Sequence, residues 1–171
     1  MLRSSSEWMN WEADHEGWMA LMDGRTGLPH RAWGPGIDVN GVDLDHMHST
    51  FVEQGLSMFG VRSEHLADAR FSDKMNENNH ERVFQSQRVD GYDVLLSQIQ
   101  TKWRDGKLVM WGVDWWSDAH VPEGEILDDD ALFSSAIDGV PFSSTNVSWD
   151  GWGILPDDYA EGEFRLARIL H

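Results

Sequence analysis

The sequence predicts an α+β fold in which antiparallel sheets pack on helices. Two Asp-Gly pairs, at 90–91 and 105–106, separate three runs of alternating character, which is the pattern of a three-stranded antiparallel meander. In two other stretches, 43–59 and 127–138, apolar residues recur at helical spacing. Because each helix precedes strands, we expect two halves, each made of a helix and a sheet.

The N-terminal third is expected to hold a hairpin and the first helix. Residues 1–17 form an irregular or helical lead-in, and a stretch rich in Gly and Pro then joins two short strands, 18–22 and 30–33. The helix should begin after Asp43, because Asp caps helix N-termini, and it should end at Gly60.

The rest of the chain reads as strands around a second helix. The strands before that helix are expected at 69–73, 80–88, 94–103 and 108–116. Asp128 or Asp129 can cap the second helix and Gly139 can end it. Two or three short strands should follow, the last within "EFRLARIL".

Composition excludes several classes of function. The formal charge is −17, from 30 acidic and 13 basic residues, so the surface should repel nucleic acid and anionic lipid. There is no cysteine, which rules out a disulfide framework, a thiol nucleophile and a zinc-thiolate site. No apolar run reaches membrane-spanning length. We therefore expect neither a nucleic-acid nor a membrane partner.

Common catalytic motifs are also missing, and we predict no catalytic residue, metal or cofactor. The chain has no His-Glu-x-x-His, no nucleophile elbow, no phosphate-binding loop and no dinucleotide fingerprint. Asp45 and His48 have metal-ligand spacing on a helix, but surface positions are the commoner use of such a pair. Asp114 and Asp118 flank Trp115-Trp116, as in a carbohydrate cleft, although packing at the end of a sheet is again commoner.

Four short motifs follow one another in order: "DGRTGLPHRAWG", "HERVFQSQRVDGYDV", "RDGKLVMWG" and "FRLARIL". Together they resemble the propeptide of thermolysin- and fungalysin-type zinc metallopeptidases, an FTP domain followed by a PepSY-like part. The residues that match the family's motifs include Thr26, Gly27, Pro29, Gly34, His80, Arg82, Gln87, Gly91, Val94 and Gly106. The family often has a glycine just past the hairpin valine, where this chain has Leu95-Leu96.

The resemblance implies a cystatin-like fold, with an FTP-like part at 18–120 and a PepSY-like part at 121–171 that we expect to be cut short at its C-terminus. It also implies a non-enzymatic, secreted or periplasmic prodomain. Such a prodomain acts as intramolecular chaperone and inhibitor of its metallopeptidase catalytic domain, to which it is joined in cis before cleavage. As partner-binding anchors we expect exposed aromatic residues, with Trp111, Trp115 and Trp116 as candidates.

Two other functions remain open at this stage. One is a stand-alone extracellular module that binds peptides or glycans with exposed tryptophans. The other is a small-molecule enzyme on an NTF2-like cone fold. A deep pocket that holds a His–Asp pair would favour the enzyme, whereas a sheet packed solid would argue against it.

Overall fold

The structure is a computed structural model, and it confirms the α+β class. It describes residues 5–61, 66, 70–77, 80–124, 128, 130–132, 134, 149–157 and 163–170. Within these residues, the helices with defined bounds are α1 (Ser6–Asp14), α2 (Leu44–Gly55) and a 3₁₀ helix at Ser57–Phe59. The strands are β1 (Met19–Met22), β2 (Pro29–Asp38), β3 (Arg70–Glu77), β4 (His80–Val89), β5 (Tyr92–Arg104), β6 (Lys107–Asp114), β7 (Trp149–Pro156) and β8 (Phe164–Leu170).

The eight strands found among the described residues belong to one mixed, mostly antiparallel sheet. Six of them lie in the order β1-β2-β6-β5-β4-β3, with antiparallel pairing throughout. Strand β7 pairs in parallel with the start of β5 and antiparallel with β8. The C-terminal strands thus extend the sheet of the meander. The division of the chain at 120 stays a prediction.

The turns and caps form where the sequence predicts them. Both Asp-Gly pairs have positive φ at both residues, 50° and 85° at the first and 52° and 75° at the second, as type I′ hairpin turns require. The Asp43 carboxylate accepts a hydrogen bond from the His46 N–H at 2.9 Å, and Gly60, at φ 80°, ends the 3₁₀ helix. The lead-in is helical as α1, and Ser5 caps it.

The second predicted helix is described only in part. The Asp128 carboxylate accepts a hydrogen bond from the Ala131 N–H at 2.8 Å, so it caps the helical turn at 130–132. Most of 127–138 lies outside the described residues, and so does the predicted end at Gly139. Among the described residues, no helix has the length and apolar character that crossing a membrane requires.

The core centres on the indole of Trp111. Trp11 of α1 lies 5.1 Å from it between ring centroids, Phe51 of α2 5.7 Å, and Phe59 of the 3₁₀ helix 5.2 Å. All four side chains are buried, which stabilises the fold by the removal of large apolar surfaces from water. Both helices therefore lie on the face of the sheet to which Trp111 points.

A buried polar network crosses the same core. His48 of α2 is fully buried, with Nδ1 2.7 Å from Thr101 Oγ1 and Nε2 3.0 Å from Gln85 Oε1. Trp103 Nε1 also donates to Thr101 Oγ1, at 2.9 Å. A neutral imidazole suits this arrangement, because Nε2–H donates to the Gln85 carbonyl while Nδ1 accepts from the Thr101 hydroxyl. The prediction that His48 lies on the helix surface is therefore wrong.

Burial lowers the pKa of His48 to about 4 from an ordinary 6.5, although the hydrogen bond to Gln85 and the charge of Asp45 act in the opposite direction. Between pH 6.5 and 4 the unfolded chain binds a proton at this residue and the folded chain does not. The free energy of unfolding should therefore fall as the pH falls through this window, by about 3 kcal/mol in total from this residue.

Urea unfolding across this pH range measures the effect. His48→Gln should flatten the pH dependence, whereas His46→Gln, which removes an exposed histidine from the same helix, should leave it unchanged. Equal pH dependence in all three proteins would contradict the assignment.

Candidate functional site

A cleft of about 420 Å³ opens where β4, β5 and β6 pass under the β1–β2 loop. Its floor is one row of paired residues, in which Asp114 lies opposite Gln98 and Gln98 opposite Ser86. Directly opposed residues share a face of an antiparallel pair, so this row belongs to the face away from the helices. The other lining residues are Asp23, Arg25, His30, Leu96 and Ser97.

A His–Asp pair stands in this cleft. His30 Nδ1 lies 2.7 Å from Asp114 Oδ1, and the two side chains are 37% and 14% exposed. The carboxylate fixes the orientation of the ring and favours a proton on Nδ1, so the pair can accept or donate a hydrogen bond to a ligand. It sits at an open end of the sheet, whereas the interior between sheet and helices is filled by aromatic and aliphatic side chains.

Strand β5 changes neighbours beside the cleft. Ser86 pairs with Gln98 and Arg88 with Asp93, so Gln87 alone faces the bulged residues 94–97. Within the bulge, Leu96 has φ 61° and is 68% exposed. A leucine in the left-handed region is strained by roughly 1–2 kcal/mol. Leu96 is the second residue of the Leu95-Leu96 pair that follows Val94.

The Gln87 side chain, which is fully buried, holds the bulge to the end of β6. Its Nε2 donates to the Trp116 carbonyl at 2.7 Å, and its Oε1 accepts from the Trp116 N–H at 3.1 Å and the Ser97 hydroxyl at 2.6 Å. The Ser97 hydroxyl is also 2.8 Å from the carbonyl of Asp114. One motif glutamine thereby hydrogen-bonds three polar groups, the Ser97 hydroxyl and the backbone N–H and carbonyl of Trp116.

A second cavity, of about 290 Å³, lies between the β1–β2 loop and the residues after β6. The Arg25 guanidinium stands 5.6 Å from the ring centroid of Trp116 and forms an ion pair with Asp23 at 3.3 Å. Burial acts to raise the pKa of Asp23, but hydrogen bonds from the Arg25 side chain and from the N–H groups of Arg25 and Thr26 lower it overall. The loop is thus held by a charged Asp23.

The three predicted aromatic anchors differ in exposure. Trp111 is 0% and Trp115 2% exposed, so the prediction that they contact a partner is wrong: each fills the core instead. Trp116 is half-buried and contacts Phe164 edge-on at 6.2 Å. Trp33, which the sequence did not single out as an anchor, is 42% exposed.

The matched motif residues lie in several places and do not form one site. Gly27, Gly91 and Gly106 have positive φ in turns, and a Cβ at Gly34 would lie 2.4 Å from the ring of Trp18. Thr26 Oγ1 accepts a hydrogen bond from the Leu28 N–H, Pro29 starts β2, and Val94 packs with Ile154 and Phe164 in a small second core. His80 and Arg82 begin β4, far along the strand from Gln87.

The comparison with solved structures finds a weak likeness. No protein-family model matches the chain, and no curated protein matches it. Among solved structures it is similar to the C-terminal domain of Bacillus megaterium YpeB, with a TM-score of 0.40 and 10% identity over 92% of this chain and 74% of that one. A likeness of this degree identifies neither a family nor a function.

Leu96→Gly should preserve or raise the free energy of unfolding, by up to about 1 kcal/mol, because relief of the left-handed strain exceeds the entropy that glycine adds to the unfolded chain. Leu21→Gly is the matched control: this leucine is also exposed but lies in β1 at ordinary φ, so the change should destabilise the protein. Chemical denaturation compares the two. A loss of stability in Leu96→Gly as large as in Leu21→Gly would contradict the strain.

Proposed function

We propose that this chain is a non-catalytic, propeptide-type binding domain that assists the folding of a secreted zinc metallopeptidase and inhibits it until the two are separated. The observation that carries the proposal is the physical role of the motif residues in this fold. Gly27, Gly91 and Gly106 occupy left-handed turn positions, Gly34 makes room for Trp18, and Gln87 anchors the bulge. The residues that create the resemblance are thus the ones that this hairpin, helix and meander need.

The polar groups of the site support a binding role. Gln87, Ser97 and the backbone of Trp116 satisfy one another, and His30 is held by Asp114. Within the described residues no group of three or more His, Asp or Glu side chains could hold a metal ion. The hydrogen bonds of Gln87 and His30 thus hold the end of the sheet in one arrangement.

The physics of a folding assistant also fits such a domain. Its own core of tryptophans and aliphatic residues needs neither metal nor disulfide. A domain that binds the folded peptidase but not the unfolded one stabilises the folded form by mass action. Large proteins whose own folding is slow gain most from such help.

The test begins with the gene. We expect the reading frame, or a neighbouring gene, to encode a zinc metallopeptidase with a His-Glu-x-x-His helix. The full chain added in trans should increase the yield of active peptidase on refolding and inhibit the folded enzyme, with thermolysin as a non-cognate control. The absence of such a gene, or a peptidase whose refolding and activity the chain leaves unchanged, would contradict the proposal.

One observation favours a second candidate, a peptide- or glycan-binding module. The smaller cavity places the half-buried ring of Trp116 beside Arg25, Ser117 and Asp118, a mixture of aromatic and polar groups suited to a sugar or a peptide. Glycan-array screening and calorimetry with Trp116→Ala would test it. Binding that this substitution abolishes, together with no effect on a peptidase, would replace the first proposal with the second.

A further inference from the structure

One row of paired residues crosses the sheet on the face away from the helices. Met19 lies opposite Trp33, Trp33 opposite Met110, Met110 opposite Lys102, and Lys102 opposite Arg82. Because directly opposed residues share a face, these five side chains lie side by side. Together with Leu21, His80 and Arg104, they are called the open face below.

The β1–β2 half of the open face is exposed and mostly apolar, with the exposed Arg31 opposite Leu21. Met19 is 56%, Leu21 48% and Trp33 42% exposed. Met110 is half-buried beside Trp33. A contiguous apolar group of this kind, with a tryptophan in it and charged residues along one side, is typical of a surface that binds another protein.

The β4–β5 half is basic, although the chain as a whole carries −17. Arg82 lies directly opposite Lys102, and His80 directly opposite Arg104. Arg82 and Lys102 are thus like charges in opposed positions, an arrangement that destabilises a sheet. On the edge strand, Glu77 lies in register with His80, and no acidic residue is in register with Arg82, which faces Met75.

Two nitrogen atoms of this half lack a partner in the described part of the chain. Arg82 Nε and His80 Nδ1 are both buried from solvent without a hydrogen-bond acceptor. Buried polar atoms are normally satisfied, and a cationic group left without an acceptor is costly. Carboxylate oxygens of a bound partner would neutralise the charges of Arg82 and Lys102, which lie directly opposite each other.

We propose that the open face is the docking surface for the metallopeptidase, and that the peptidase presents an apolar patch flanked by carboxylates to it; this inference rests on the proposed function. The charge of the open face favours the peptidase over a second copy of this chain as the partner bound there. A second copy docked through the same face would bring no carboxylate to Lys102 and Arg82, because a two-fold interface uses the same patch on both subunits and the residues of the open face include no acidic one. An acidic partner surface complements the cations and orients the otherwise acidic chain.

Calorimetric titration of the full chain with the peptidase catalytic domain, at low and high ionic strength, tests the inference. Trp33→Ser should weaken binding by at least about tenfold, as loss of an aromatic anchor does. Lys102→Gln should weaken it several-fold and reduce its dependence on salt. Met58→Ser, at an exposed methionine of the 3₁₀ helix, and Gln54→Glu, which makes the same charge change on exposed α2, are the matched controls and should bind normally.

The possible results are separable. Loss of binding in the open-face variants alone, with all variants equally folded by circular dichroism, supports the docking surface. Normal binding by Trp33→Ser and Lys102→Gln overturns it and leaves the proposed function intact. No binding by the unmodified chain contradicts the proposed function, and the docking surface falls with it. Met19→Ser provides a second apolar variant if Trp33→Ser is unstable.

Discussion

Aromatic packing around Trp111 is the constraint on which the rest of the structure depends. Helix α1, helix α2 and the 3₁₀ helix each bring an aromatic ring to the indole of Trp111, so all three must lie on the same face of the sheet. Alternation along β6 then turns Met110 to the opposite face, and strand pairing places Trp33 and Lys102 beside it. The position of the core on one face of the sheet therefore determines which side chains lie on the other face.

The buried polar groups form two separate hydrogen-bond networks, one in the core under the helices and one at the end of the sheet. His48, Thr101 and Gln85 bond to one another under the helices, in an arrangement that suits a neutral imidazole. At the end of the sheet, the Gln87 side chain forms hydrogen bonds with the backbone of Trp116 and so holds the bulge of β5 in place. Rigidity at both places suits a domain that binds a partner without changing shape.

Local patterns predicted much of this fold, because turns and caps depend on a few neighbouring residues. The Asp-Gly turns, the cap at Asp43 and the end at Gly60 are all found. Long-range features have no such local basis. Alternation alone cannot say which face of a strand is covered, so it does not separate the buried Trp111 and Trp115 from the exposed Trp33. The burial of His48 depends on Thr101 and Gln85, which lie far along the chain. The parallel pairing of β7 with β5 leaves no local signal either.

The most direct measurement is a spectrum of the tryptophan indole N–H groups, labelled with ¹⁵N, during titration with the peptidase catalytic domain. The chain has ten tryptophans, and their exposure separates the open face from the core and from the cavity beside Arg25. Docking on the open face predicts that the signal of Trp33 shifts strongly while those of Trp111 and Trp18 stay in place. A shift confined to Trp116, or no shift at all with a peptidase that the genome pairs with this chain, would contradict the account.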